Sequence, residues 1–369
     1  MGGIQYKVPF WVKFIFIFVY IMKSEAARCQ PESLTYSLPS PPKTSKDLNF
    51  FVVNTVDQRN LPGKRVGQVI HFGKVTELLL NKSVEDALLA YYQRLAPEIK
   101  EGQIPLYIAI EHFQIQEKRV APNKVIGEAR IKVNFRWYRD MQPVELTSYE
   151  SKANFTRPES KDIHSQILPS LLDQSIAHFE KWMTLNAGRN PSLSRKIVLR
   201  FKDMGGSDEK DTVFYSPLRP LKWTDFKGNY ARPGSRYAAA VFTSFAYEGH
   251  SYPEGDQLVV EIGLKVFMVK SNSWAKMNAR EAGTLRHEQL HFDLTRLAAE
   301  GFKKRLLEAE LTVEDHDSEI QYQYLEAFRQ MNTDQKAYDN ATGHGTNAAL
   351  QESWDRNISN QIKKLYFQK

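Results

Sequence analysis

Cysteine is almost absent from this chain. Cys29 is the only one, so an intramolecular disulfide is excluded. Such usage fits an exported bacterial protein that avoids stray oxidation. Histidine is scarce too, with 9 in 369 residues, so any histidine cluster carries information. The net charge is +7, yet no Lys/Arg block with interleaved aromatics marks a nucleic-acid groove. The basic residues are scattered and read as a solvated surface, so no nucleic-acid partner is expected. A weak attraction to anionic envelope surfaces is compatible with that charge. Long apolar runs are also lacking. The one candidate is residues 14–22, Phe-Ile-Phe-Ile-Phe-Val-Tyr-Ile-Met, preceded by Lys7 and Lys13.

Nine apolar residues are too few to span a bilayer but suit the core of a signal peptide. Ser24, Glu25 and Ala26 offer a small-residue cleavage site, so a signal peptide over 1–27 is expected, with a mature chain beginning near Ala27. An uncleaved signal anchor is the alternative. Arg28 argues against lipidation at Cys29. The expected location is secreted or periplasmic, with no stable membrane span after signal removal.

Residues 28–46 read as a Pro-rich tether, with Pro31, Pro39, Pro41 and Pro42 among Ser and Thr. A first domain is expected over 47–204. Ala129, Ile131, Val133, Phe135 and Trp137 alternate with polar residues, as a half-buried strand does. Leu106, Ile108 and Ile110 repeat the pattern, as do Ile197, Leu199 and Phe201. Ser83 opens a capped helix through Ile99. A second helix is expected over 162–185, with Pro169 as a kink or late start. This is an α+β unit: an antiparallel sheet with helices on one face. Gly205 and Gly206 with a charge cluster mark a linker over 205–212, and a second domain follows over 213–369. It opens with Trp223 and Phe226 as core anchors. Strands follow over 237–247 and 258–269, then helices over 274–311, 313–338 and 347–365.

The second domain carries the chemistry. His287-Glu288-Gln289-Leu290-His291 reads HExxH. On a helix, positions four apart share one face, so two imidazoles can hold one zinc ion. Glu288 then reaches a zinc-bound water as general base. Leu294, Leu297, Ala298, Phe302 and Leu306 continue the helical period. A third ligand is needed. A metzincin would have Gly at 294 and His at 297, but both are leucine. Glu308, Glu314, Glu319 and Glu326 are eligible glutamates on the next helix. His344, between Gly343 and Gly345 at a helix–helix junction, has a free approach to a metal.

Several segments resemble the bacterial family of predicted secreted zinc-dependent proteases, itself a domain of formally unknown function. The matching pieces are the 221–228 string LKWTDFKG, Ala238-Ala239-Ala240, Ser273-Trp274 and His287-Glu288-Gln289-Leu290-His291-Phe292-Asp293. Tyr338-Asp339, Thr342, His344-Gly345, Gln351 and Trp354 follow. The resemblance covers about 213–366. It implies a zincin-like α+β domain with an HExxH helix and raises His344 above the glutamates as third ligand.

The expected protein is therefore a zinc (Zn2+) metallopeptidase acting on protein or peptide substrates. Its expected ligands are His287, His291 and His344, with Glu288 as base. Tyr338 is the candidate hydrogen-bond donor to the oxyanion, against a core or helix-end role. Asp293 is the candidate to orient an imidazole, against a salt bridge with Arg286 or Arg296. Should His344 not bind, Glu319, Glu326 or Asp339 would replace it. The strand over 258–269 is the candidate edge for pairing with extended substrate. Two readings from other classes remain: a binding or scaffold protein with a structural zinc, and a metal hydrolase acting on a cell-wall amide.

Overall fold

The computed structural model describes residues 32–42, 47–98, 100–206, 209–229 and 237–367. The expected signal peptide and Cys29 lie outside the described residues. The chain folds as a mixed α+β protein with two hydrophobic cores built on two sheets, and a third, smaller core among the C-terminal helices.

The first sheet has seven strands: β1 (Ser33–Tyr36), β2 (Phe50–Asp57), β3 (Arg65–His71), β4 (Lys74–Leu80), β5 (Ile104–Ala121), β6 (Lys124–Arg139) and β7 (Gln142–Arg157). Their order is β1-β4-β3-β5-β6-β7, with β2 also on β5. The sheet is mixed, not antiparallel as expected: β1–β4, β2–β5 and β3–β5 are parallel pairs. Alternation marks a strand's buried face but carries no information on its partner's direction. Helices α1 (Val84–Leu95) and α2 (His164–Asn186) close this core. Ser83 caps α1, accepting the Asp86 N–H at 3.0 Å, which satisfies a donor the helix leaves open. The helix stops at Leu95, short of Ile99. Pro169 lies inside α2 and is buried.

Two boundaries differ from the sequence reading. Part of the expected tether is a strand, because Leu34, Tyr36 and Leu38 pack on the first core while β1 pairs with β4. The expected linker at 205–212 lies between two strands of the second sheet. These are β8 (Lys196–Asp203) and β9 (Thr212–Phe214), and both pair with β12. The first core ends at Leu193, and Ile197, Leu199 and Phe201 belong to the second.

The second unit continues with β10 (Ala239–Ala240), β11 (Thr243–Glu254), β12 (Gln257–Val269) and β13 (Trp274–Ala275). β12 is central: β11 runs antiparallel along one side, with β8 and β9 on the other. It therefore cannot be the free edge expected for residues 258–269. β10 and β13 form a separate two-stranded ribbon. The expected helix start at Trp274 is wrong for that reason.

Three helices complete the unit: α3 (Ala282–Glu308), α4 (His316–Thr342) and α5 (Ala348–Phe367). α3 is covered on two sides. Phe292, Ala299, Phe302 and Leu306 pack into the second core, while Leu290 and Leu294 meet Tyr338 of α4 and Ile358 and Ile362 of α5. Among the described residues no helix is long and apolar enough to cross a membrane.

Candidate metal centre

His287 and His291 lie one turn apart on α3, between its two packed faces. Their rings stand nearly perpendicular, with centroids 4.9 Å apart. α4 brings Asp339 against them. Its Oδ1 lies 3.2 Å from His287 Nε2 and 3.0 Å from His291 Nε2. One ligand atom from each of these three residues falls within 4.8 Å of the others, a grouping that can hold a metal ion.

The surrounding hydrogen bonds fix the state of the rings. Gln335 Nε2 donates to the His291 backbone carbonyl at 2.9 Å and to Thr295 Oγ1 at 3.0 Å. A carbonyl only accepts, so the amide must turn its oxygen towards His291 Nδ1, which it contacts. That nitrogen therefore carries the proton. Gln351 is placed similarly at His287, although its partner is a hydroxyl, which both donates and accepts. Its Nε2 donates to the Tyr338 hydroxyl at 2.7 Å, and its Oε1 lies 3.0 Å from His287 Nδ1. With Gln351 Oε1 facing His287 Nδ1 as Gln335 Oε1 faces His291 Nδ1, both Nε2 lone pairs converge on a carboxylate oxygen. Lone pairs facing a carboxylate repel, so a positive charge belongs between them. Two extra protons would make adjacent imidazoliums, whereas one divalent cation answers all three donors. The donor set therefore fits a metal.

Glu288 is buried beside this cluster and shares a cleft with it. Burial pushes its carboxyl pKa up, against the lowering effect of the two imidazoles and of the Val241 N–H that it accepts. Burial disfavours the charged form of the His291 ring. Its bond to Asp339 and the nearby Glu288 charge outweigh that and raise its pKa. For Asp339 burial also opposes charge, but the imidazole contacts win and hold it well below the ordinary carboxylate range.

The cleft measures about 520 Å³ and is lined by residues 237–243, Gly283, Thr284, Met331, Asn332, Gln335 and Gly343's neighbours His344 to Thr346, besides the cluster. His344 borders it rather than joining the three. Its Nδ1 is 3.4 Å from Asp339 Oδ1 and its ring meets Tyr237 edge-on. The 343–345 turn is left-handed throughout, with φ of 55°, 57° and 84°. Glycine suits position 345, where φ is 84° and a Cβ would lie a tight 3.3 Å from the His287 ring.

Tyr338 does not face the cleft. It is fully buried, stacked on His287 with centroids 4.7 Å apart. Its hydroxyl donates to the His287 carbonyl at 3.3 Å and accepts from Gln351. The expected oxyanion role is corrected to support of the His287 ring. Asp293 touches no imidazole. It accepts from Tyr215 and Gln289, each at 2.9 Å, and lies 3.7 Å from Arg286, whereas Arg296 binds Asp203. The four eligible glutamates are engaged elsewhere, with Lys304, Arg139, Thr312 and Arg329. Nothing in the sequence reading singles out Gln335. Its spacing of four residues from Asp339, on the helix after HExxH, is the signal that places both on one face.

Comparison with known proteins adds little beyond this geometry. A family described as a bacterial protein of unknown function (DUF922) matches residues 269–345. This is narrower than the expected 213–366, yet it holds His287, Glu288, His291, Gln335 and Asp339. No curated protein matches the chain. Two solved structures resemble parts of it, each at 13% identity and a TM-score of 0.24. One is an uncharacterized protein, matched over 41% of this chain and 98% of its own length. The other is a Xanthomonas campestris protein of the DUF330 family, matched over 42% of this chain and 93% of its own. At those scores neither informs fold or function.

Proposed function

We propose that the chain is an exported zinc-dependent peptidase, acting in the periplasm or outside the cell. The observation that carries this reading is Glu288: a buried carboxylate, one residue from a ligand on α3, opening onto the same cleft as the cluster. A structural metal site has no use for a base in that position. His287, His291 and Asp339 would hold the ion, and their nitrogen and oxygen donors suit zinc. When bound, the metal supplies Lewis acidity towards a carbonyl and acidifies a water molecule.

The chain's own residues do the rest. Glu288 takes the proton of the attacking water, and its raised pKa brings it nearer the working pH of a general base. It then passes that proton to the leaving amine. The Gln335 and Gln351 amides hold the two rings with Nε2 facing inward. The wall formed by Ala238, Ala239, Ala240 and Val241 runs extended beside the base. β10 uses one edge on β13 and lines the cleft, so extended peptide fits there by main-chain pairing. This short ribbon takes the place expected for residues 258–269.

Glu288→Gln tests the reading. It should keep metal content and fold while lowering turnover about 10²–10⁴-fold. Substrates should include unfolded protein and cell-wall amides, so that peptide and non-peptide cleavage separate. Full turnover by the variant would leave a structural ion as the explanation of the cluster.

A further inference from the structure

The first sheet ends in a surface that the peptidase reading does not use. Phe72 and Gly73 form the two-residue turn between β3 and β4, both at positive φ, 45° and 77°. Such turns favour Asn, Asp or Gly, and a bulky side chain there is strained. Phe72 is nevertheless 89% exposed. Its ring stands edge-on to His71, yet the fold gains little burial from it and bears the strain.

The neighbourhood is specific. β3 runs beside β5, which brings the turn to the β5–β6 hairpin, and a Cβ placed on Gly73 would meet the Arg119 guanidinium at 3.4 Å. Val75 and Val120 add exposed apolar surface beside it. Three acids at this end are paired with cations, Glu32 with Lys74, Glu159 with Arg119 and Glu117 with Arg157, which leaves Asp162 beside His164. Lys118, Lys124 and Lys161 then set its sign.

We propose that this end of the first sheet docks on an anionic lipid bilayer. Phe72, Val75 and Val120 enter the boundary between headgroups and acyl chains, and the lysines face the lipid phosphates. The opposite end provides an internal contrast. Met141, in the β6–β7 turn, is also 89% exposed with φ of 63°. It follows Asp140, and the adjacent Arg139 is bound to Glu314, so that end lacks the cationic ring.

The test uses the full chain with vesicles of phosphatidylcholine, with or without phosphatidylglycerol, containing brominated acyl chains. Phe72→Trp and Met141→Trp place an indole at each end, above the same native tryptophan background. The Phe72→Trp indole should shift to the blue and be quenched on phosphatidylglycerol vesicles, but not on phosphatidylcholine alone. The Met141→Trp indole should be unaffected. Adding Lys124→Gln should weaken docking about five-fold, the effect of roughly one lysine near a charged surface. Equal quenching at both ends, or none at position 72, overturns the proposal. So does a blue shift at position 72 without vesicles in a chain that sizes as a dimer, since the surface then serves self-association.

Discussion

Gln335 grips His291 twice: its amide nitrogen donates to the His291 backbone carbonyl, and its amide oxygen receives the proton of the same residue's imidazole Nδ1. Helix and ring are thereby locked together, and the ring's other nitrogen is left to face Asp339. Gln335→Leu should weaken metal binding about 10–100-fold, the usual cost of losing a residue that supports a ligand. Gln335→Glu should restore much of it. Competition with a chelator gives the affinity, and nitrogen NMR of His291 reads the tautomer directly. An unchanged tautomer in Gln335→Leu would mean the amide does not set it.

Asp339 and His344 give opposite expectations for the third ligand. Asp339→Ala should lower metal affinity by more than the 10–100-fold expected for a supporting residue. His344→Ala, altering a residue at the cleft border, should stay within that range. Chelator competition on both variants decides, and the reverse order would return the third position to His344.

Acid should unfold the first unit through Glu117. This side chain is fully buried, bound to Arg157 and His164. Burial alone would raise its pKa, but bonds from His164, Arg157 and the Ile70 N–H bring it down from 4.5 to about 2. A depressed carboxylate stabilises the fold above its unfolded pKa and loses that contribution as pH falls towards its folded pKa. The window is thus between pH 4.5 and about 2, with roughly 3 kcal/mol at stake. Denaturant melts across this range should show the loss in the wild type. Glu117→Gln should be weaker at neutral pH, with Arg157 left buried and unpaired, and flatter below pH 4.5.

Phe302→Ala tests the packing beneath the centre. Phe302 is fully buried on α3 against Phe245, Tyr247 and Tyr324. Its truncation should cost about 3–5 kcal/mol in chemical denaturation. Metal affinity of the folded fraction should be unchanged, because the ligands lie on a different stretch of the helix.

Much of the centre was legible in the sequence because a helix repeats locally. HExxH fixes the relation of His287, Glu288 and His291 within one turn, and α3 supplies that turn. Asp339 was harder: its approach depends on how α4 crosses α3, which no local pattern records. Tyr338 shows the same limit, since a helix-end tyrosine beside an aspartate reads equally as a cleft or a core residue. In the sheets, alternation located β5, β6 and β8 but not their partners. β8 reads as part of the first unit because its mate β12 is remote in sequence. Leu34, Tyr36 and Leu38 do alternate, but a four-residue strand among prolines is too short for a periodic signal.

His291 and Asp339 stand 48 residues apart in sequence. An ion shared between them closes a loop of that length, which the unfolded chain would close only at an entropic cost. The ion then binds the folded hairpin of α3 and α4 far better than the loose chain. Its free concentration would then set part of the melting temperature. Supply of metal would in this way govern how long the molecule survives: without the ion, the two helices that carry the cluster would lose that share of their stability.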